Sequence, residues 1–124
     1  MVLVDTSVWI RFLANRQPYA TELDRLLQLG EVAGHELIYG ELLIGDRGGR
    51  KKLLSSYERI EQARLVPHSE VVEFVRHRNL QGRGAGWIDI HLLAAAIVER
   101  MKLWTGDPRL AALAGELGVA FEVP

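Results

Sequence analysis

Four acidic residues lie within or directly after apolar stretches, where a charged carboxylate is unexpected. Asp5 ends the apolar run of MVLVDTSVWI, Glu41 lies within ELIYGELLI, Asp89 within WIDIHLLAAA and Asp107 within LWTGDPRL. A buried charge is costly unless it is paired or binds a metal. Taken one at a time, the three aspartates are also ordinary helix caps, since an acid suits the start of a helix. A catalytic or metal-binding role therefore depends on whether the four side chains lie close together in the folded chain.

Glu41 is the acid that capping does not explain. Leu37 and Ile38 lie four and three residues before it, and Ile44 lies three residues after it. At that spacing the residues of a helix share one face. We therefore predict that the Glu41 carboxylate lies on or beside the apolar stripe of its helix, where it needs a cation or a proton.

The elements that must position these acids alternate along the chain. Apolar runs and turn residues predict strands at 2–5, 31–35, 65–66, 103–106 and 119–123. Between them, apolar periodicity and caps predict helices from residue 6 or 7, from about 18 to 30, at 36–44, at 51–63, from 69, at 88–101 and at 108–117. Alternating strands and helices imply a parallel sheet flanked by helices. We expect a single α/β domain, 1–124, with three α/β/α layers.

The four acids are expected to meet at one edge of this sheet. In an open α/β sheet, ligands bind outside the carboxyl ends of the strands, where the strand order reverses. Asp5 and Asp107 follow predicted strand ends. Carboxylates gathered there repel one another unless a divalent cation lies among them, and all-oxygen ligation favours Mg²⁺ or Mn²⁺ over zinc. The hydroxyls of Ser7 and Thr105 are expected to orient the acids by hydrogen bonds.

Composition excludes several other kinds of protein. The chain has no cysteine, which excludes thiolate zinc sites and disulfides, and no run long enough to span a bilayer or act as a signal peptide. A cytoplasmic protein is therefore expected. If four acids occupy one site, the other 12 face 15 basic residues, of which 12 are arginines suited to phosphate. Taken alone, such a surface is better explained by plain solubility. No i, i+4 pairing supports a histidine metal site at His35, His68, His77 or His91.

The ordered set of four stretches resembles a known family. LVDTSVW, GELLIG, WIDIHLLAAA and LWTGDPRL are similar, in this order and at these separations, to the four signatures of PIN-domain ribonucleases. Among these they look like the VapC toxins of toxin–antitoxin pairs. The resemblance covers almost the whole chain and places the family's acids on Asp5, Glu41, Asp89 and Asp107, with its usual hydroxyl on Thr105. It implies a parallel sheet of order 3-2-1-4-5.

The activity implied by the resemblance is hydrolysis of RNA phosphodiester bonds by an endonuclease that depends on Mg²⁺ or Mn²⁺. Asp5, Asp89 and Asp107 are then the expected metal ligands, and Glu41 binds metal or positions the attacking water. Basic residues beside the site are expected to hold phosphates, namely Arg47, Arg50, Lys51 and Lys52 after the Glu41 helix, and Arg83, with Arg76 and Arg78, before Asp89. Trp87 and Tyr39 are candidates for stacking on bases, although packing roles are equally compatible with them.

The resemblance also implies partners. It implies a homodimer and a small VapB-like antitoxin whose C-terminal segment lies along the active-site groove, with Trp9, Phe12 or Tyr39 suggested as lining residues. Two alternatives stay open. One is a housekeeping PIN-fold nuclease that processes RNA, and the other is a PIN module that binds nucleic acid without cutting it.

Three other α/β classes fit poorly. A dinucleotide-binding domain needs G-x-G-x-x-G after a strand, whereas GRGAGW follows no predicted strand. A phosphoacceptor receiver domain needs an aspartate at the end of the third strand, where this chain has Leu-Val-Pro. A haloacid-dehalogenase-type phosphatase needs an aspartate at position 7, where Ser7 stands.

Overall fold

A parallel sheet of four short strands forms the centre of the molecule. The structure is a computed structural model that describes residues 1–124. In chain order the strands are β1 (Val2–Val4), β2 (Val32–Gly34), β3 (Glu61–Gln62) and β4 (Lys102–Trp104). Their order across the sheet is β3-β2-β1-β4, and all pairings are parallel. The strand order therefore reverses between β1 and β4, which are neighbours.

Seven helices connect and flank the strands. They are α1 (Thr6–Leu13), α2 (Tyr19–Gln28), α3 (Glu36–Ile44), α4 (Lys51–Tyr57), α5 (His68–Arg78), α6 (Trp87–Val98) and α7 (Pro108–Glu116). In α6 every residue from Ile90 to Ala96 is buried, because apolar residues occupy most of its circumference and the helix forms part of the core. None of the helices is both long and apolar enough to cross a lipid bilayer.

The predicted α/β class and strand order are confirmed, except at the fifth position. The segment predicted as a strand at 119–123 contributes a single parallel bridge between Ala120 and Leu103. Leu103 donates its backbone N–H to Val119 and accepts one from Phe121. Because only this one residue of β4 exchanges backbone hydrogen bonds with the segment, the C-terminus covers the sheet edge without forming a full strand.

The third strand lies earlier than predicted. The prediction placed it at 65–66, whereas β3 is Glu61–Gln62, and the helix predicted at 51–63 ends at Tyr57. Both residues of β3 are exposed. An edge strand pairs through its backbone on one side only, so its side chains need not be apolar. Hydrophobicity was therefore the wrong guide to this strand.

Candidate active site

Asp5 lies at the carboxyl end of β1 and is the most completely bonded of the four acids. Its side chain is buried. Oδ1 accepts the backbone N–H of Thr6 at 2.8 Å and so caps α1. Oδ2 accepts the hydroxyls of Ser7 and Thr105, each at 2.8 Å. These three donors stabilise a carboxylate that has little contact with water, and they fix its direction.

The end of β4 is tied to the same group. Thr105 also accepts the backbone N–H of Asp107 on its Oγ1, at 3.0 Å. Gly106 donates its N–H to the Ser7 hydroxyl at 2.9 Å. Asp107 then caps α7 by accepting the N–H of Arg109 at 2.8 Å. Asp5 and Asp107 thus occupy adjacent strand ends at the point where the strand order reverses.

Glu41 reaches this group from α3. The Thr6 hydroxyl donates to its Oε1 at 2.6 Å, a contact between residues 35 apart. The buried positions of α3 are Ile38 and Leu42, whereas the Ile44 side chain is 88% exposed. The predicted apolar stripe through Ile44 is therefore wrong, and Glu41 lies at the edge of a narrower stripe. Sequence reasoning treated Thr6 only as a helix start, although a hydroxyl directly after Asp5 was a usable signal.

Asp89 completes the set from the first turn of α6. Its Oδ2 accepts the N–H of Gly86 at 3.1 Å. Burial raises the pKa of the Asp89 carboxyl above its usual value, and the negative charges of Asp5, Asp107 and Glu41 raise the pKa further. The negative charges of the other three acids therefore reach Asp89, and each of the three aspartates lies at the start of a helix.

The glycine-rich loop before α6 is held against α7. Gly84 has φ +85°, and a Cβ built on it would lie 2.9 Å from Cδ of Arg109. Arg83 in the same loop forms an ion pair with Glu116 near the end of α7. Glycine at position 84 thus permits both the backbone angle and the close approach. The result is that Asp89 is carried on a segment anchored beside Asp107.

The donor set suits a hard divalent cation. All four acids offer oxygen, and none of them belongs to an ion pair with a basic side chain. No three acidic or histidine side chains lie close enough together to hold an ion in the present arrangement. A metal ion would therefore need these carboxylates to come closer together, and Asp5 is the one whose oxygens are already held by three donors.

The basic residues proposed from the sequence fall into two groups. Arg47, Lys51 and Lys52 are exposed. Arg78 is exposed as well. The other three have partners within the chain, since Arg50 donates to the Leu42 carbonyl at 2.8 Å, Arg83 pairs with Glu116 and Arg76 lies 3.8 Å from Glu73. Arg50 and Arg83 thus already stabilise the loops on which they lie. A role in phosphate binding stays a prediction for both.

The aromatic candidates also differ in exposure. Trp87, the first residue of α6, is 43% exposed, and its ring lies 5.3 Å from those of His68 and His91. Tyr39 is half-buried, and the neighbouring Glu58 carboxylate raises the pKa of its hydroxyl. Trp9 is only 2% exposed. Its suggested place in a partner groove is therefore wrong, because its indole fills the core.

Replacing Asp89 by Asn is expected to raise the melting temperature in EDTA near neutral pH. A carboxyl whose pKa is raised on folding stabilises the folded state at low pH, and that contribution is lost as the pH rises through the folded-state pKa. The amide removes the charge and can still accept the Gly86 N–H. We expect an increase of roughly 1–4 °C, allowing for solvent screening. Thermal melts in EDTA measure this.

Two controls frame that measurement. Asp24→Asn, at an exposed position of α2, should leave the melting temperature unchanged. Below pH about 4, where an ordinary aspartate is protonated, the difference between parent and Asp89→Asn should vanish. Excess Mg²⁺ should stabilise the parent more than the variant by mass action. A variant that melts lower than the parent in EDTA would contradict charge repulsion at Asp89.

Comparison with known proteins agrees with this arrangement. The model of the PIN domain family matches residues 2–116. Ribonuclease VapC32 of Mycobacterium tuberculosis, strain CDC 1551 / Oshkosh, is 40% identical over 121 residues, which are 97% of this chain and 95% of the relative. The protein of the same name from strain ATCC 25618 / H37Rv is similar to the same extent. The similarity therefore spans all four acids.

Proposed function

This chain belongs to the PIN-domain family, and from that premise we propose that it is a VapC-type endoribonuclease that uses Mg²⁺ or Mn²⁺ to hydrolyse RNA. One observation carries the proposal. Thr105 bonds both Asp5 and Asp107 at adjacent strand ends, Thr6 joins Asp5 to Glu41, and the charges of these three acids raise the pKa of Asp89. Such a set stores repulsion that a divalent cation relieves.

The proposed role of each acid follows from the hydrogen bonds that hold its side chain. When bound, the metal activates a water molecule and offsets charge on the leaving oxygen. Asp5, fixed by Ser7 and Thr105, provides a ligand that needs no rearrangement. Asp89 and Asp107 supply the other proposed ligands. Glu41 has one oxygen bound to the Thr6 hydroxyl, which leaves the other free to bind metal or to orient the attacking water.

The direct test is cleavage of a labelled single-stranded RNA by the purified chain. We expect fragments in Mg²⁺ or Mn²⁺ and none in EDTA, with activity restored when metal is added back in excess. Cleavage that continues in EDTA would overturn the proposal. Growth arrest on expression, relieved by a small protein encoded beside this one, would separate a toxin from a housekeeping nuclease.

The exposed apolar side chains on α1 and α3 suggest where an antitoxin binds. These two helices pack against each other. Their outer surfaces expose Ile10 and Leu13 from α1 and Leu43 and Ile44 from α3. Scattered apolar residues are normal on a surface, but four on neighbouring helices are typical of a docking patch. We propose that the VapB-like partner covers this patch, and that the toxin itself is a homodimer.

Replacing Ile44 by Asp should weaken the antitoxin complex by 10-fold or more. Ile44 is 88% exposed, so the charge costs the free toxin little, whereas desolvating it in an apolar interface costs on the order of 2 kcal/mol. Native mass spectrometry and titration with the purified partner measure the loss. Val98→Asp, at the exposed end of α6, is the matched control and should bind normally. Unchanged binding by Ile44→Asp would place the interface elsewhere.

A further inference from the structure

Arg11 lies on the same face of α1 as Ser7, one helical turn further on. Both residues contact Gly106, in the loop between Thr105 and Asp107. The Ser7 hydroxyl accepts the Gly106 N–H at 2.9 Å. A Cβ built on Gly106 would lie 1.6 Å from Nη1 of Arg11 and 2.5 Å from its Cζ. The guanidinium therefore fills the space that any side chain at position 106 would need.

The guanidinium is held in place by neutral groups. Its Nη1 donates to the Tyr19 hydroxyl at 2.9 Å, and its Cζ lies 5.0 Å from the centre of the Tyr19 ring. Tyr19 in turn stacks on Trp104 of β4, with ring centres 5.9 Å apart and planes 19° from parallel. Arg11 is thus oriented before any ligand arrives, which lowers the entropy lost on binding.

Arg11 has no acidic partner, although it lies beside the acidic site. The ion pairs of this chain involve Arg25, Arg64, Arg76 and Arg83, and no carboxylate lies within 4.0 Å of the Arg11 guanidinium. A guanidinium has five N–H donors, and the bond to Tyr19 is the one hydrogen bond that its side chain makes. The remaining donors form the planar fork that fits two phosphate oxygens.

We propose that Arg11 forms an anion subsite at the rim of the four-acid site and binds a phosphate of the RNA strand next to the bond that is cut. The inference rests on the proposed function, since it assigns a place to the same substrate. It also explains two features together: a half-buried arginine without a counter-ion, and a glycine at position 106. A positive group here offsets the repulsion between the acids and the RNA backbone.

The test is RNA binding in EDTA, where the proposed cleavage cannot occur. Affinity of a fluorescent single-stranded RNA is measured at several KCl concentrations for the parent and Arg11→Gln. Loss of one phosphate contact should reduce the slope of log affinity against log salt by about 0.7. We expect binding about 5- to 10-fold weaker at low salt, as loss of a charge-assisted hydrogen bond implies. Arg100→Gln, just before the opposite end of β4, is the matched control.

A second variant displaces the guanidinium without removing it. In Gly106→Ala the new methyl group takes the position of Nη1, and the flexible end of Arg11 has to move away. The N–H of residue 106 is retained for Ser7. We expect a loss of affinity similar to that of Arg11→Gln, and no further loss in the double variant. Arg11→Lys should recover the salt slope but only part of the affinity, because an ammonium lacks the planar fork.

The outcomes are distinct. Parent-like slope and affinity in both Arg11→Gln and Gly106→Ala would overturn the inference and leave Arg11 as a packing partner of Tyr19, which thermal melts would reveal as lost stability. An equal loss in Arg100→Gln would also overturn it, since the effect would then be one of general charge. If the parent binds RNA and Arg11→Gln weakens that binding, but the parent does not cleave RNA with metal present, the proposed function is refuted while the Arg11 subsite stands.

Discussion

Asp5→Asn is expected to reduce RNA cleavage by about 10³-fold or more. The variant removes the negative charge from the one acid whose direction is fixed by three donors. A bound metal contributes several kcal/mol to such a reaction, and each 1.4 kcal/mol corresponds to about tenfold in rate. The measurement is the cleavage rate of a labelled RNA at saturating Mg²⁺.

Asp107→Asn separates chemistry from folding in that experiment. Both oxygens of the Asp5 carboxylate accept hydrogen bonds, and an asparagine amide keeps only one accepting oxygen. Asp5→Asn therefore loses at least one of these bonds and also lowers stability. At position 107 the amide oxygen can still cap α7 through the Arg109 N–H, so the fold should be preserved. We expect a similar loss of activity with an almost unchanged melting temperature. Asp24→Asn should cleave like the parent, and an Asp107→Asn variant that cleaves normally would remove Asp107 from the site.

Acid should destabilise this protein through His35, with the loss concentrated between pH 6.5 and pH 4. The imidazole is fully buried at the end of β2, and its Nδ1 accepts the N–H of Leu37 at 3.1 Å to cap α3. Burial, together with the nearby charge of His91, lowers the pKa of His35 to about 4. Its Nε2 is buried without a hydrogen-bond partner, so the interior offers the charged form no compensation.

The sign follows from proton binding. Between pH 6.5 and about 4 the unfolded chain binds a proton at His35 and the folded chain does not, so stability is lost as the pH falls through this range. The loss amounts to about 3 kcal/mol at most. Protonation also puts a hydrogen on Nδ1, which then faces the Leu37 N–H and no longer caps α3. Because α3 carries Glu41, acid should loosen the candidate active site as well as the fold.

His35→Asn tests this, because an asparagine oxygen can accept the same N–H. We expect the free energy of unfolding of the variant, from urea titrations at pH 7, 6, 5 and 4, to fall less steeply than that of the parent. The comparison uses the pH dependence, since the smaller side chain also changes stability at every pH. His77→Asn, on the exposed end of α5, should follow the parent. Parallel curves for parent and His35→Asn would show that His35 is not the titrating group.

Short-range features of the site were readable from the chain. Asp5 after an apolar run and Asp107 before Pro108 predict helix caps at strand ends, and the structure has both caps. Helix capping and strand burial depend on residues within a few positions of one another, so the local sequence is enough to predict them. The resemblance then supplied the strand order, which local patterns do not contain.

Contacts between distant segments were not readable in this way. The bond from Thr6 to Glu41 joins residues 35 apart, and the contact of Arg11 with Gly106 joins α1 to the loop after β4. The position of β3 likewise depends on which segment forms backbone hydrogen bonds with β2. Exposed residues such as Glu61 are not apolar, so their sequence does not predict that pairing. Residue type and spacing therefore determined which groups are candidates for chemistry and where helices begin. Which of those groups contact one another was decided by the tertiary structure, because the crossover connections and helix packing bring distant segments together.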